Sequence, residues 1–282
     1  MDQTEKRLHA NLMMIVDFVS RQLPGELFDR LSGPESPPET DHERFVLIAR
    51  RIFGLGLPPW LVEQRFAATR EALADLVPAK VAALEERDIA HFLSVDAALR
   101  NRAKVLAVRH NARVVQRLAS EHGDLNRFAA VTIAQNGNEV RGQEALMQAL
   151  QRELQFIGPI SAARIAQELG VDVMVPHRSV LRFLHRLGAG GTDGRGAQEL
   201  SERVAPEAWG PRRRGRLGAV LLAFATGRWS SVAVCNGEPN CGACPVAPDC
   251  PRNGVSGPRD EHSSRASGSQ TTGSTAPLSA ER

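Results

Sequence analysis

The sequence predicts an all-α protein, on three observations. Apolar residues recur at three- and four-residue steps through most of the chain, the period of one helix face. Alternating patterns are confined to Val171–Val175 and Val232–Val234, which are too short to build a sheet. Glycine and proline clusters fall between the periodic runs, where helices stop.

Taken in order, the elements follow from these signals. The N-terminus, MDQTEKRLHANLMMIVDFV, carries acids at its start and has no small-residue cleavage site after its apolar stretch. It reads as an amphipathic helix, not a signal peptide. Residues 33–41, GPESPPETD, form a polar, proline-rich connection. Helical runs follow at Leu61–Leu76, Asn101–Leu118, Gln143–Leu154, Ala162–Leu169 and Gly215–Ala225. The breakers between runs are Gly33–Pro38, Gly54–Pro59, Pro78, Gly158–Pro159, Gly188–Gly196 and Gly210–Pro211. Residues 254–282 are rich in Ser, Gly and Thr and almost lack large apolar side chains. Such a segment cannot bury enough surface to offset ordering entropy, so a disordered tail is expected.

The 282 residues suffice for a sizeable core, in one large domain or two lobes. No apolar run is long enough to span a membrane, so a cytoplasmic location is expected. The net charge of +3 permits nucleic-acid binding without arguing for it. Lysine occurs only at positions 6, 80 and 104, and arginine supplies the remaining positive charge. That bias is equally what a genome's base composition would produce.

All four cysteines lie within sixteen residues, at Cys235, Cys241, Cys244 and Cys250, spaced C-x5-C-x2-C-x5-C. Four thiolates on one short loop can close around a single ion or cluster. Disulfides are disfavoured in a cytoplasmic protein. Structural zinc sites usually pair two C-x2-C knuckles, and only Cys241–Cys244 makes one. The wide flanking gaps suit a [4Fe–4S] cluster better, with Zn2+ the alternative.

The cysteine loop ends a helical chain and resembles the iron–sulfur loop of endonuclease III and the adenine-mismatch glycosylases, whose first gap is one residue longer. Upstream, FIGPIS at residues 156–161 lies between two helical patterns. It is similar to the hairpin of the helix-hairpin-helix superfamily, in the G-P form of the 3-methyladenine DNA glycosylase I family; an ordinary interhelical turn would also read this way. Gly158 permits a tight turn and close backbone approach. The amides after it, at Ile160 and Ser161, would hold one DNA phosphate. Further upstream the same family is resembled in FVLIARRIFGLGLPPWLVEQRF, PAKVAALEERDIAHFL and, most closely, LRNRAKVLAVRHNARVV.

The resemblance covers roughly residues 45–252. It implies a two-lobed helix-hairpin-helix glycosylase fold with DNA in the cleft. Residues 1–44 would be the N-terminal helix packing on the cluster lobe, with its linker. Residues 45–160 would form a six-helix barrel lobe ending in the hairpin. Residues 161–253 would form the catalytic-loop helix and the iron–sulfur cluster lobe, followed by the tail at 254–282.

The resemblance also marks departures. Superfamily members deliver a catalytic aspartate at a helix start, five residues before the first of two basic residues. Arg182 and Arg186 fit the basic pair, and counting back reaches His177. A neutral imidazole can act as a general base near neutral pH, though it stabilises a sugar cation poorly. This suits labile substrates such as cationic alkylated bases. Asp172 could serve through a shifted loop, His177 could be no more than a helix cap, or the protein could bind DNA without cleaving it. Where bifunctional members carry a lysine, this chain has Ile160 and Ala162, so no lyase activity is expected. Trp60 matches a pocket tryptophan that would stack on a flipped base, though a core tryptophan reads the same way. Ile52 replaces the pocket glutamate.

Two basic groups complete the candidates: Arg100, Arg102 and Lys104, and Arg212, Arg213, Arg214 and Arg216. Each is either a DNA-backbone contact or an ordinary solvated face. The resemblance therefore implies a monofunctional DNA glycosylase that hydrolyses the N-glycosidic bond of a damaged or modified base. It would act as a monomer on double-stranded DNA, at the nucleoid, with no membrane partner. The alternative is a non-catalytic iron–sulfur protein that binds DNA or senses damage; a zinc-stabilised helical protein unrelated to DNA is a third reading.

Overall fold

A computed structural model describes residues 3–29, 37–190, 193–228 and 233–255. Among them the regular structure is helical, with no strand. Thirteen α-helices occur: α1 (Gln3–Ser20), α2 (Gly25–Asp29), α3 (Asp41–Gly54), α4 (Pro59–Ala72), α5 (Pro78–Ala82), α6 (Glu86–Ser94), α7 (Arg102–His122), α8 (Leu125–Ala134), α9 (Glu139–Glu153), α10 (Pro159–Glu168), α11 (Arg178–Arg186), α12 (Gly194–Val204) and α13 (Arg213–Thr226). All five sequence-predicted helical runs fall on helices, α4, α7, α9, α10 and α13, and the N-terminal one on α1. The expected tail lies outside the described residues apart from Gly254 and Val255, and Val232 is also outside them.

Local chemistry sets the boundaries. α3 begins inside the polar connection, at Asp41, because Thr40 and Glu43 form a capping box: the Glu43 amide donates to Thr40 Oγ1 (3.2 Å) and the Thr40 amide to Glu43 Oε2 (3.0 Å). Prolines 59, 78 and 159 each open a helix, where a missing N–H costs nothing. Asn101 caps α7 by accepting from the Lys104 amide (3.0 Å). The glycine-rich stretch 188–196 breaks the chain less than its composition predicts, since Asp193 caps α12 through the Gly196 amide (2.8 Å).

The helices bury two apolar clusters. The first is built on α3 to α10, around Phe45, Phe53, Phe92, Val108, Leu146 and Ile165. The second joins α1 to α11, α12 and α13, around Leu12, Ile15, Phe183, Leu217 and Phe224, and it includes Val234, Cys235 and Val246 of the cysteine loop. The extended segment Val171–Val175 lies between the clusters, with Val173 and Val175 in the first and Met174 in the second. It needs no sheet, because side chains satisfy its backbone: Gln198 pairs with both the amide and carbonyl of Met174, and Gln167 Nε2 donates to Val173 O (2.8 Å). Gly218 lets α13 approach this segment, since a Cβ there would lie 2.7 Å from Met174 Cγ.

Candidate functional site

The longest helix, α7, organises the surface around the turn between α9 and α10. Asn111 is fully buried on its apolar face. Its Nδ2 donates to Gln155 O (3.0 Å) and its Oδ1 accepts from the Gln155 amide (2.8 Å). One side chain thus satisfies both backbone groups of a turn residue. The tight turn is made at Phe156, at φ 63°, and not at Gly158, whose φ of −89° any residue can adopt. What Gly158 does provide is space, since a Cβ there would meet no protein atom within 4 Å. α10 then starts without a side-chain cap. Its first intrahelical amide bond is Ala162 N to Gly158 O, so the amides of Ile160 and Ser161 have no acceptor in the helix. Phe156 and Ile160 are exposed apolar side chains beside them.

Lys104 belongs to the scaffold. Its Nζ donates to Phe53 O (2.9 Å) and Leu55 O (2.6 Å), closing the C-terminus of α3, and burial lowers its pKa. A lysine so engaged does not face DNA, which corrects the expectation of a backbone contact there. The loop that Lys104 pins leads to Trp60, which is 66% exposed at the start of α4. That exposure rules out the core reading of Trp60 and leaves its ring open for stacking. Ile52 is fully buried in the first cluster.

The Arg212–Arg214 run is not a DNA-facing stripe. The Arg214 side chain is 1% exposed. It reaches Asp172 (3.3 Å), Glu139 (2.6 Å), Glu202 (3.1 Å) and Gln143 (2.9 Å). Arg213 donates to Ala205 O (2.8 Å) and pairs with Glu202 (3.0 Å). Arg212 is half-buried and also has a partner. Of the residues proposed for phosphate contact from basic character, Arg102 stays exposed, paired with Glu86.

The same network removes Asp172 from the catalytic candidates. Its Oδ2 accepts from Arg214 N (3.2 Å) and its Oδ1 from Gly215 N (2.9 Å). The carboxylate therefore caps α13 while neutralising Arg214.

His177 is the N-cap of α11, and its Nδ1 accepts from the Ser179 amide (3.2 Å). An imidazole that accepts at Nδ1 is neutral and carries its proton on Nε2. Burial, and then Arg164, Arg178, Arg228 and Arg182, push its pKa below the ordinary histidine value. In this geometry the free ring nitrogen is a donor, so the general-base role expected for His177 lacks an open acceptor. The capping role is fulfilled.

The four cysteines line one concavity, together with Phe183, Val246 and Arg186. Arg186 is buried and binds the loop backbone: its Nη1 donates to Asn236 O (2.6 Å) and its Nη2 to Gly237 O (3.2 Å), with Nη1 also 3.5 Å from Cys235 Sγ. Cys250 Sγ donates to Arg186 O (3.3 Å). Burial raises the pKa of Cys235 and Cys244. Among the described residues, no three His, Cys, Asp or Glu side chains converge closely enough to hold a single metal ion. No helix among them is long and apolar enough to cross a membrane.

Several site residues escaped the sequence analysis. Asn111 had a signal, a polar residue in the apolar phase of α7 between Val108 and Val115. Arg51 had none, because its partner Glu168 lies on a separate helix.

The comparisons with known proteins bear on this surface. No curated protein matches the chain. Among solved structures, the chain is similar to a 3-methyladenine DNA glycosylase I variant in complex with 3-methyladenine, at 18% identity and a TM-score of 0.41 over 48% of this chain and 80% of that one. A second structure of 3-methyladenine DNA glycosylase I gives 21%, 0.40, 48% and 81%. A variant from Staphylococcus aureus gives 18%, 0.41, 48% and 80%. Residues 36–172 match the methyladenine glycosylase family model, a stretch that includes Trp60, α7 and the turn before α10 but ends before His177 and the cysteines.

Proposed function

We propose that the chain is a DNA N-glycosylase that removes alkylated bases. The observation that carries this reading is the methyladenine glycosylase match over residues 36–172. Within that stretch Trp60 presents an exposed ring and the start of α10 presents two amides without intrahelical acceptors. In this reading the two apolar clusters are the two lobes of a helix-hairpin-helix glycosylase, acting as a monomer on double-stranded DNA. The ring of Trp60 stacks on the flipped base, and the α10 amides hold a backbone phosphate.

The chemistry fits a good leaving group. Alkylation makes the base cationic, so the N-glycosidic bond breaks with little help and water completes the hydrolysis. Of the carboxylates on this stretch, Asp172 is engaged by Arg214 and Glu168 by Arg51 through Oε1. His177, neutral and protonated on Nε2, can donate to the departing base or to a phosphate. The enzyme is monofunctional: Ala162 is fully buried and Lys104 is tied to two carbonyls, so no free amine stands where a Schiff base would form.

The test is a panel of duplexes bearing alkylated, deaminated or oxidised bases. We expect free base from the methylated duplex alone, and no protein–DNA adduct after borohydride. A second reading, binding without cleavage, is favoured by the occupied Nδ1 of His177. Tight duplex binding with no base released from any member of the panel would establish it over the first.

The same proposal gives the cysteine loop a structural [4Fe–4S] cluster held by Cys235, Cys241, Cys244 and Cys250. Four thiols facing one apolar concavity, with Arg186 beside Cys235 Sγ, support this. The group would cross-link a loop that otherwise has little regular structure. Anaerobically purified protein is expected to be brown, with iron and acid-labile sulfide, and C241S to lose both. A colourless protein carrying zinc would replace the cluster with Zn2+.

A further inference from the structure

Two buried polar side chains of α7 hold two exposed loops. Lys104 donates from Nζ to Phe53 O (2.9 Å) and Leu55 O (2.6 Å). Asn111 bonds both backbone groups of Gln155. Seven residues apart, the two share the buried stripe of α7 with Val108 and Val115, about 10 Å from each other along the axis.

The loops are built alike. The residue after each tie turns left-handed, Gly56 at φ 74° and Phe156 at φ 63°. The next residue, Leu57 or Ile157, packs on the first cluster. An extended residue follows, Pro58 or Gly158, and then a proline, Pro59 or Pro159, opens a helix that has no side-chain cap. The second residue of each helix is an exposed apolar side chain, Trp60 on α4 and Ile160 on α10. One helix therefore holds two equivalent turns, one leading to the stacking ring and one to the free amides.

Neither tie is required for solvation. Leu55 and Gln155 are exposed residues, and water serves the last carbonyls of a helix equally well. Burying an ammonium costs free energy unless it is fully bonded. A buried lysine that directs its bonds to an exposed loop therefore contributes placement.

We propose that Lys104 is a positioning residue for base recognition. With Asn111 it sets the Trp60 loop and the turn before α10 at a fixed separation along α7, so the places for a flipped base and for its backbone phosphate are in register before DNA arrives. This rests on the glycosylase reading. Fixing the reacting groups in advance lowers the barrier to reaction, whereas an undamaged duplex, which presents no flipped base, gains nothing from it.

Lys104→Met keeps the length of the side chain and removes the donors. In single turnovers on the methylated duplex, its maximal rate is expected to fall about tenfold, the scale of one base stacked on an aromatic ring. Its affinity for undamaged duplex should stay near the wild-type value. Lys104→Arg, which keeps donors for both carbonyls, should recover part of the rate. A second readout follows the ring itself. In protein labelled with 5-fluorotryptophan, the one of three resonances that Trp60→Phe removes belongs to Trp60. Lys104→Met should shift that line and leave the other two in place. Circular dichroism and an unfolding midpoint check that Lys104→Met is folded. If it is not, Gly56→Ala replaces it. That change strains the left-handed turn of the same loop at a point where no protein atom lies within 4 Å, and it should give the same rate loss and line shift.

A folded Lys104→Met with the wild-type rate, or with an unshifted Trp60 line, overturns the proposal. So does a fall in rate matched by an equal fall in affinity for undamaged duplex, which would mark Lys104 as a structural tie only. Wild-type protein that binds no duplex and releases no base removes the glycosylase reading, and the role in base recognition with it. Wild-type activity unaltered in Lys104→Met removes this proposal alone.

Discussion

Arg214→Ala is expected to destabilise the fold by about 3–5 kcal/mol, the range for removing one partner of a buried ion pair. The Arg214 side chain is 1% exposed, and its loss leaves Asp172, 11% exposed, as an uncompensated carboxylate in the interior. Glu139 and Glu202, at 63% and 37% exposure, can return to water, so the penalty centres on Asp172. The bonds of Asp172 to the amides of residues 214 and 215 survive the substitution, so the loss is that of the charge pair and not of the cap on α13. Denaturant unfolding measures the effect. Pairing Arg214→Met with Asp172→Asn should restore much of the loss, because no charge then remains buried. A change below about 1 kcal/mol for Arg214→Ala, the scale of an exposed pair, would show the network to be solvated. Charge reversal across residues 212–214 should abolish DNA binding through unfolding, so salt titrations on folded protein are the ones that report on phosphate contacts.

Asn111→Ala should cost about 2–4 kcal/mol, since it strands the amide and carbonyl of Gln155 in a part-buried turn. It should also weaken duplex binding far more than an equally destabilising change elsewhere. The reason lies in Phe156, whose φ of 63° is unfavourable for a side chain with a Cβ. That conformation persists only while its neighbour Gln155 is pinned. Without the pin the turn relaxes and the amides of Ile160 and Ser161 lose their fixed orientation. Asn111→Asp can accept from the Gln155 amide but cannot donate to its carbonyl, so an intermediate effect is expected. The unfolding midpoint and duplex affinity, measured together, separate the two consequences. Full duplex affinity in a destabilised Asn111→Ala would show that the turn does not need its pin.

Much of this molecule was legible before any coordinates. The 3.6-residue period placed α1, α4, α7, α9 and α10, because each buries one stripe against a core and the stripe is written locally; α13 is buried all round from Leu217 to Ala225 and was placed by its apolar run. The polar connection misled at Asp41, where capping chemistry starts a helix inside a run of composition typical of loops. The short apolar alternation at 171–175 is extended, yet it finds its partners in glutamine side chains of α10 and α12, which no strand pattern can anticipate.

The site was legible in part. Clustered cysteines, a G-P turn and Trp60 stand out because each signal lies within a few residues. The charged residues did not, because a guanidinium reads the same in sequence whether solvated or buried. Arg213, Arg214 and Lys104 look like a basic surface and are internal ties. Arg51 and Glu168 look scattered and form an ion pair between α3 and α10. His177, found by its spacing to Arg182, proved to hold its own helix start. The sequence by itself determined the helices, the turn before α10 and the grouping of four thiols, all set by short-range periodicity and spacing. Tertiary structure alone decided which charges are paired inside, because Coulomb energy depends on separation in space and on burial, and neither is written along the chain.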